Sequence, residues 1–327
     1  MAMLGFTPQW CTVEEVEGER FGGHLMVVTL NRPRVRNALH FKAHAELSRV
    51  WDYYHNADHL FVAILTGAGD KAFCAGFDLK AAAAAAMSGE DEDDRTDHID
   101  RSAEPDMTGC RGGSGFAGLT ERRRRFKPII AAVNGVAHGG GFETALSCDI
   151  IVAAETADFA LPEPKVGLIA LAGGVIRLPR LIGHHSAMEI MLTGRRVSAA
   201  EGLRLGFVQR VVPSGVVEEA MRIVDLILKC SPDSIQATVE VRRAHTHTHT
   251  TIVAEHCWLT SSPPQTHTQN RSRIEQHQRG NSSIAMRLSK RNAILPPSLG
   301  SLKERTSMKD PLHLLRSARL SGVTLSR

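Results

Sequence analysis

An α/β fold is what this sequence predicts, on three observations. The run LFVAILTG from Leu60 to Gly67 is apolar at every other position and at the positions between, as a strand covered on both faces must be. A second apolar run, KPIIAAVNG at residues 127–135, passes through the glycine loop His138-Gly139-Gly140-Gly141 into a helix-like stretch ending near Ser147, and the strand-like DIIVAAE follows. The succession of strand, glycine loop and helix then recurs, with a short helix and a strand between Ser198 and Pro213.

In chain order, residues 24–31 (HLMVVTLN) are β-branched and apolar and stop at the turn Asn31-Arg32-Pro33, which marks a strand leading into a loop. Asn37 is placed to cap the next helix, whose apolar positions Leu39, Ala43, Leu47, Val50, Trp51 and Tyr54 recur at three and four residues and should face a core. Beyond the Leu60–Gly67 strand and a Gly-rich loop, residues 81–118 join an alanine run, an acidic stretch and a Gly/Ser-rich segment. That mixture predicts a mobile surface excursion with no single conformation. Residues 216–229 return to helical periodicity.

With 327 residues, 43% of them hydrophobic, the chain can bury one large core or two modest ones. No apolar run approaches the roughly 20 residues that cross a bilayer, so no membrane partner is expected. The first residues are acidic where a transit peptide would be Arg-rich, and no signal peptide is visible. Six cysteines (Cys11, Cys74, Cys110, Cys148, Cys230, Cys257) form no CxxC pair. These features predict an intracellular, reducing compartment, whether mitochondrial, peroxisomal or cytosolic, and neither a metal site nor a disulfide framework. Residues 245–327 hold 12 of the 39 Lys and Arg but 4 of the 35 Asp and Glu, which leaves residues 1–244 at −4. A mildly acidic body gives no reason to expect a nucleic acid partner.

The same break sets the domain expectation. Residues 1–244 read as the folded domain. Residues 245–327 open with alternating His and Thr, hold no sustained period before a weak amphipathic hint at 312–320, and read as a disordered, low-complexity basic tail. Alternating His and Thr is what a CA dinucleotide repeat encodes, so a frameshift or retained intron in the gene model stands beside a genuine tail as its origin.

Three blocks carry the chemistry: TGAGDKAFCAGFDLK at 66–80, NGVAHGGGFETALSCDI at 134–150 and DFALPEPKVGLIALAGGVIRLPRLIG at 158–183. In order and spacing they resemble the crotonase (enoyl-CoA hydratase/isomerase) superfamily. The resemblance covers about residues 10–244, including NRPRVRNAL at 31–39 and MLTGRRVSAAEGLRLGFVQRVV at 191–212. Within it, FCAGFDLKAAA, GFAGLTE, GGGFE and MLTGRR are similar to carnitinyl-CoA dehydratases. What this implies is a spiral of repeated ββα units, assembled as a homotrimer or hexamer, acting on an acyl-CoA substrate with no cofactor beyond the CoA that the substrate brings.

A thioester attacked at its β-carbon becomes an enolate, whose oxygen needs fixed donors in a dry site. The resemblance implies that the backbone N–H groups of Ala75 and Gly140 are those donors, the second at a helix N-terminus. It implies Glu143 and Glu163 as the acid/base pair, with Glu163 carrying the α-proton and Glu143 holding the water. Gly76, Phe77, Asp78 and Gly139 would border the substrate, and Arg34 would suit the CoA phosphates. The implied reaction is hydration or dehydration of an α,β-unsaturated acyl-CoA. Isomerisation or carnitinyl-CoA dehydration is the alternative within the class; outside it stand an RNA-binding role and a truncated, catalytically impaired homologue.

The chain also departs from the pattern. Leu171 stands where many hydratases have Gly, and His138 where large apolar residues are usual; His138 reads as pocket lining rather than as a catalyst. The run Glu121-Arg122-Arg123-Arg124-Arg125 has no interleaved aromatics and reads as a solvated helix face rather than a nucleic-acid patch. The histidines of HTHTHT share one face of an extended strand but lack a carboxylate nearby to make a metal site.

Overall fold

A computed structural model describes residues 4–17, 24–88, 114–122 and 125–244, all within one compact unit. The expected tail and the centre of the 81–118 excursion lie outside the described residues. A six-stranded sheet forms the frame in the order β1 (Cys11–Glu17), β2 (His24–Leu30), β3 (Leu60–Gly67), β5 (Ile129–Val133), β7 (Ile150–Ala154), β10 (Arg210–Val212). All its pairings are parallel except β1 with β2. A second sheet is built from strands of three residues each: β4 (Ala72–Cys74), β6 (Val136–His138), β8 (Asp158–Ala160) and β9 (Arg196–Ser198). Successive strands alternate between the sheets, β3 to β4, β5 to β6 and β7 to β8. The first two pairs are followed by α2 (Leu79–Ser88) and α3 (Gly140–Ser147), and the third by a 3-10 turn and α4 (Gly174–Ile182). This is the ββα spiral that the resemblance implied.

The absence of polar alternation in β3 and β5 has its cause in two cores. Val62, Ile64, Ile130, Ala132 and Val152 meet Val216, Ala220, Ile223 and Val224 of α7 (Val216–Ile227) on one face. Ala63, Leu65, Ile129, Ala131 and Val133 join the main core on the other, together with Ala43, Leu47, Val50, Trp51 and Tyr54 of α1 (Phe41–Asn56). Two large polar side chains inside are matched: Trp51 Nε1 donates to Ala117 O at 3.0 Å, and the Tyr54 hydroxyl to Pro128 O at 2.7 Å.

Three expectations need correction. The cap of α1 is His40, whose Nδ1 accepts from the Ala43 N–H at 3.2 Å. Asn37 is instead buried with φ +55, and it ties the turn after β2 to the β4 region by donating to Ala68 O and Ala72 O. The two ends of the 81–118 segment have definite structure: residues 81–88 continue α2, and Phe116, Ala117 and Gly118 are buried against α1, where a side chain at Gly118 would lie 2.4 Å from Ser48 N. The arginine run is not a solvated face at its described members. Arg122 is buried and pairs with Asp52 at 2.6 Å; Arg125, 2% exposed, pairs with Asp149 at 2.7 Å.

That last pair is also where β5 begins, since Asp149 Oδ2 accepts from the Ile129 N–H at 2.9 Å. Removing only the cation leaves a carboxylate to be solvated inside the fold. Arg125→Met is therefore expected to cost about 3 kcal/mol of stability, read as a lowered urea midpoint; an unchanged midpoint would show the pair to be dispensable.

Candidate active site

Two glycine loops, one after β4 and one between β6 and α3, approach each other closely. Gly76 has φ +97, and a Cβ there would sit 2.8 Å from His138 O and 3.4 Å from Gly140 N, so only glycine permits the contact. An account of the backbone donors shows which amides remain open. In the first loop the Ala75 N–H donates to Arg36 O at 3.0 Å, Gly76 N–H to Cys74 Sγ at 3.4 Å and Asp78 N–H to Leu39 O at 2.9 Å. The Phe77 N–H makes no hydrogen bond among the described residues. In the second loop Gly139 N–H donates to Ala160 O at 2.9 Å, and Gly140 opens α3, where its N–H has no intrahelical acceptor.

The structure thus corrects the expected donor pair. Gly140 is open as expected, but Ala75 is engaged, and the open amide is two residues further on, at Phe77. Gly76, at φ +97, turns the chain between the Ala75 and Phe77 amides. The Ala75 amide is taken by Arg36 O, from a different loop, and no local pattern reveals that.

Both carboxylates reach the same place. Glu143, on the first turn of α3, is 3% exposed, and its Oε1 accepts from the Gly174 N–H at 2.8 Å at the start of α4. Its pKa is pushed up to about 7, chiefly by burial; the charge of Glu163 adds to this, while the Gly174 and Ala172 amides and Arg177 oppose it. Glu163 opens the 3-10 turn Glu163–Val166 after β8. Its Oε1 lies 2.9 Å from where a Cβ on Gly139 would stand, and its buried Oε2 has no hydrogen-bond partner. Burial also raises its pKa.

Other expected residues have different parts. Asp78 is a brace: it pairs with Arg32 at 3.0 Å, and its Oδ1 accepts from the Ala81 N–H at 3.1 Å at the start of α2. His138 is hydrogen-bonded to Asp158, which also pairs with Arg196 at 3.1 Å, so its ring belongs to an ion-pair group. Arg34 is exposed on the turn Pro33–Val35, and Leu171 is 43% exposed in the turn before α4. Two contributors were not foreseen. Arg177, on α4 beside Glu143, donates to Ala172 O and Thr120 O, and Gly173 before it holds φ +110, a conformation that favours glycine. The Phe116 ring covers Gly140, 2.6 Å from where its Cβ would be. The Gly173-Gly174 pair opening a helix was the visible trace of the first; nothing local marked the second.

Repeated ββα units whose loops meet over a pair of open amides define a crotonase-type enzyme. The chain belongs to the enoyl-CoA hydratase/isomerase family, whose model matches residues 20–279. It is 43% identical over 237 residues to the mevalonyl-coenzyme A hydratase of Beauveria bassiana, covering 72% of this chain and 81% of that one. It is 44% identical over 223 residues to the carnitinyl-CoA dehydratase of Salmonella typhi, covering 68% and 78%. Among solved structures, a carnitinyl-CoA dehydratase from Mycobacterium avium 104 superposes with a TM-score of 0.60 at 36% identity over 72% of this chain and 82% of that chain. An enoyl-CoA hydratase from Mycobacterium tuberculosis H37Rv superposes with a TM-score of 0.63 at 31% identity over 83% and 96%. No helix among the described residues is long and apolar enough to cross a membrane.

Proposed function

We propose that this enzyme adds water reversibly across the double bond of an α,β-unsaturated acyl-CoA. The carrying observation is the pair of open amides, Phe77 and Gly140, at the Gly76 contact beside two carboxylates of raised proton affinity. The thioester oxygen accepts from both amides, and the charge that develops on it in the enolate is met by donors already in place. Glu143, ionised, takes a proton from water as the water oxygen bonds to the β-carbon; Glu163, protonated, gives its proton to the α-carbon. One proton enters a carboxylate and one leaves the other, so the step balances without a redox or metal cofactor, and CoA arrives with the substrate. Dehydration of a 3-hydroxyacyl-CoA, as the names of the relatives suggest, runs the same steps backwards; isomerisation would use the same amides.

Arg34, exposed and in no ion pair among the described residues, is assigned to the CoA phosphates. A trimeric or hexameric assembly is supported by the exposed Leu168, Ile169, Leu171 and Ile176 that follow Glu163. Residues 1–244 are proposed to hold the whole catalytic domain. An RNA-binding role loses its support, since Arg122 and Arg125 are engaged inside the fold.

The test is hydration of crotonyl-CoA, followed as loss of conjugated-thioester absorbance, for the full chain and for a version ended at Ala244. Turnover by both supports the reaction and the domain limit. Turnover by the full chain alone moves the limit beyond 244, and no turnover by a well-folded full chain removes crotonyl-CoA hydration from the reading.

A further inference from the structure

One cation beside the site takes no part in the proton transfers. Arg177 is the fourth residue of α4 and half-buried, and its side chain folds back along its own helix until the guanidinium rests where a Cβ on Gly173, the residue before the helix, would stand. There Nη1 donates to Ala172 O at 2.9 Å and Nη2 to Thr120 O. Both acceptors are neutral carbonyls, so among the described residues no carboxylate meets the charge by direct contact.

The start of a helix is an unfavourable place for a cation, because the dipole presents its positive end there. Burial and the charge of Arg125 oppose the guanidinium further and hold its pKa below the usual value; Glu143 supports the charge, ahead of Cys148 and Glu121. Glu143 is also the acid that reaches this helix start, since its Oε1 accepts from the Gly174 N–H at 2.8 Å. The support is mutual. Burial and the charge of Glu163 favour the protonated form of Glu143, while Arg177 and the Gly174 and Ala172 amides favour the carboxylate.

The same side chain also joins two parts of the site that are distant in sequence. Ala172 belongs to the turn that leads into α4. Thr120 belongs to the segment after Phe116, whose carbonyl accepts from the Thr120 N–H at 3.2 Å and whose ring covers Gly140. One planar fork thus holds the cover of an open amide to the helix start that seats the water-activating carboxylate.

We propose that Arg177 is a positioning residue for water addition: its guanidinium ties the turn before α4 to the segment covering Gly140, and its charge keeps Glu143 available as a carboxylate. The inference rests on the acyl-CoA hydration reading and deepens it by naming what sustains the base.

The experiment follows the Glu143 carboxyl directly, by 13C NMR titration of the full chain carrying labelled glutamate, with the signal assigned by its loss in Glu143→Gln. In the wild type its midpoint is expected near 7. Arg177→Gln, which keeps a donor for one carbonyl and removes the charge, is expected to raise that midpoint by about one pH unit or more. Its kcat on crotonyl-CoA should fall by about tenfold at pH 6 and less at pH 9, as expected when the ionised fraction is what is lost. Arg177→Lys keeps the charge without the planar fork, so its midpoint should stay near that of wild type. Should Arg177→Gln fold poorly, Arg177→Met leaves no polar atom unpaired and carries the same expectation. An unmoved Glu143 midpoint in a folded, uncharged variant overturns the proposal, as does a moved midpoint with kcat unchanged at pH 6. A midpoint that moves as expected in a folded protein without turnover overturns the hydration reading, and with it the place of Arg177 in the reaction, but not its hold on Glu143.

Discussion

Replacing Glu163 by Gln is expected to lower kcat for hydration of crotonyl-CoA by about 10²–10⁴-fold with a small change in KM. The side chain binds no part of the fold that Gln could not also serve: Oε2 has no partner, and Oε1 rests against the bare α-carbon of Gly139. A packing role would therefore predict little effect, whereas a proton-donating role predicts a large one, because Gln has no proton to give to the α-carbon. The thermal midpoint should stay near that of wild type, which separates lost chemistry from lost structure. A second readout removes the remaining ambiguity. If Glu163 handles the α-proton, exchange of that proton with deuterated solvent in a saturated acyl-CoA should stop in the variant. Wild-type rates of both hydration and exchange in Glu163→Gln would remove the residue from the mechanism.

How legible all this was in the sequence depended on whether a feature is local. The strands Leu60–Gly67 and Ile129–Val133 could be read because continuous apolarity has one physical cause, burial on both faces, and the two cores supply it. The second sheet could not: strands of three residues are too short to show any period, and β4, β6, β8 and β9 exist only because they find one another across the fold. The same contrast separates the site residues. Glu143 and Glu163 were visible through the motif around each. Ala75 was the wrong amide because the carbonyl that occupies it belongs to Arg36, on a different loop, and Asp78 is a brace for a reason equally remote, its pairing with Arg32. The arginine run was misread in the same way, since the acids that pair with Arg122 and Arg125, Asp52 and Asp149, are remote in sequence.

Glu143→Gln is expected to move activity and stability in opposite directions. Water activation needs the ionised carboxylate, so kcat should fall by about 10²–10⁴-fold. Stability follows from the sign of the pKa shift. The folded-state value is raised from 4.5 to about 7, so the native protein binds the proton more tightly than the unfolded chain does. Below about pH 4.5 the group is protonated in both states and the shift costs nothing. As pH rises through this window the unfolded chain releases the proton first, and by pH 8 the native state holds an ionised carboxylate where burial disfavours it. Wild-type stability should therefore decline between about pH 4.5 and pH 7 through this group, by roughly 3 kcal/mol at most. Gln can still accept from the Gly174 N–H and carries no charge to bury, so the variant should lack that decline. At pH 8 it is expected to be the more stable protein by about 2 kcal/mol, the remainder being lost to the Gln amide N–H groups that gain no acceptor. At pH 5 the two proteins should melt together. Thermal midpoints at pH 5 and pH 8 decide the matter: a variant that gains nothing at pH 8 would mean that Glu143 is ionised there without strain, and the cost attributed to holding a base in a dry site would be absent from this enzyme.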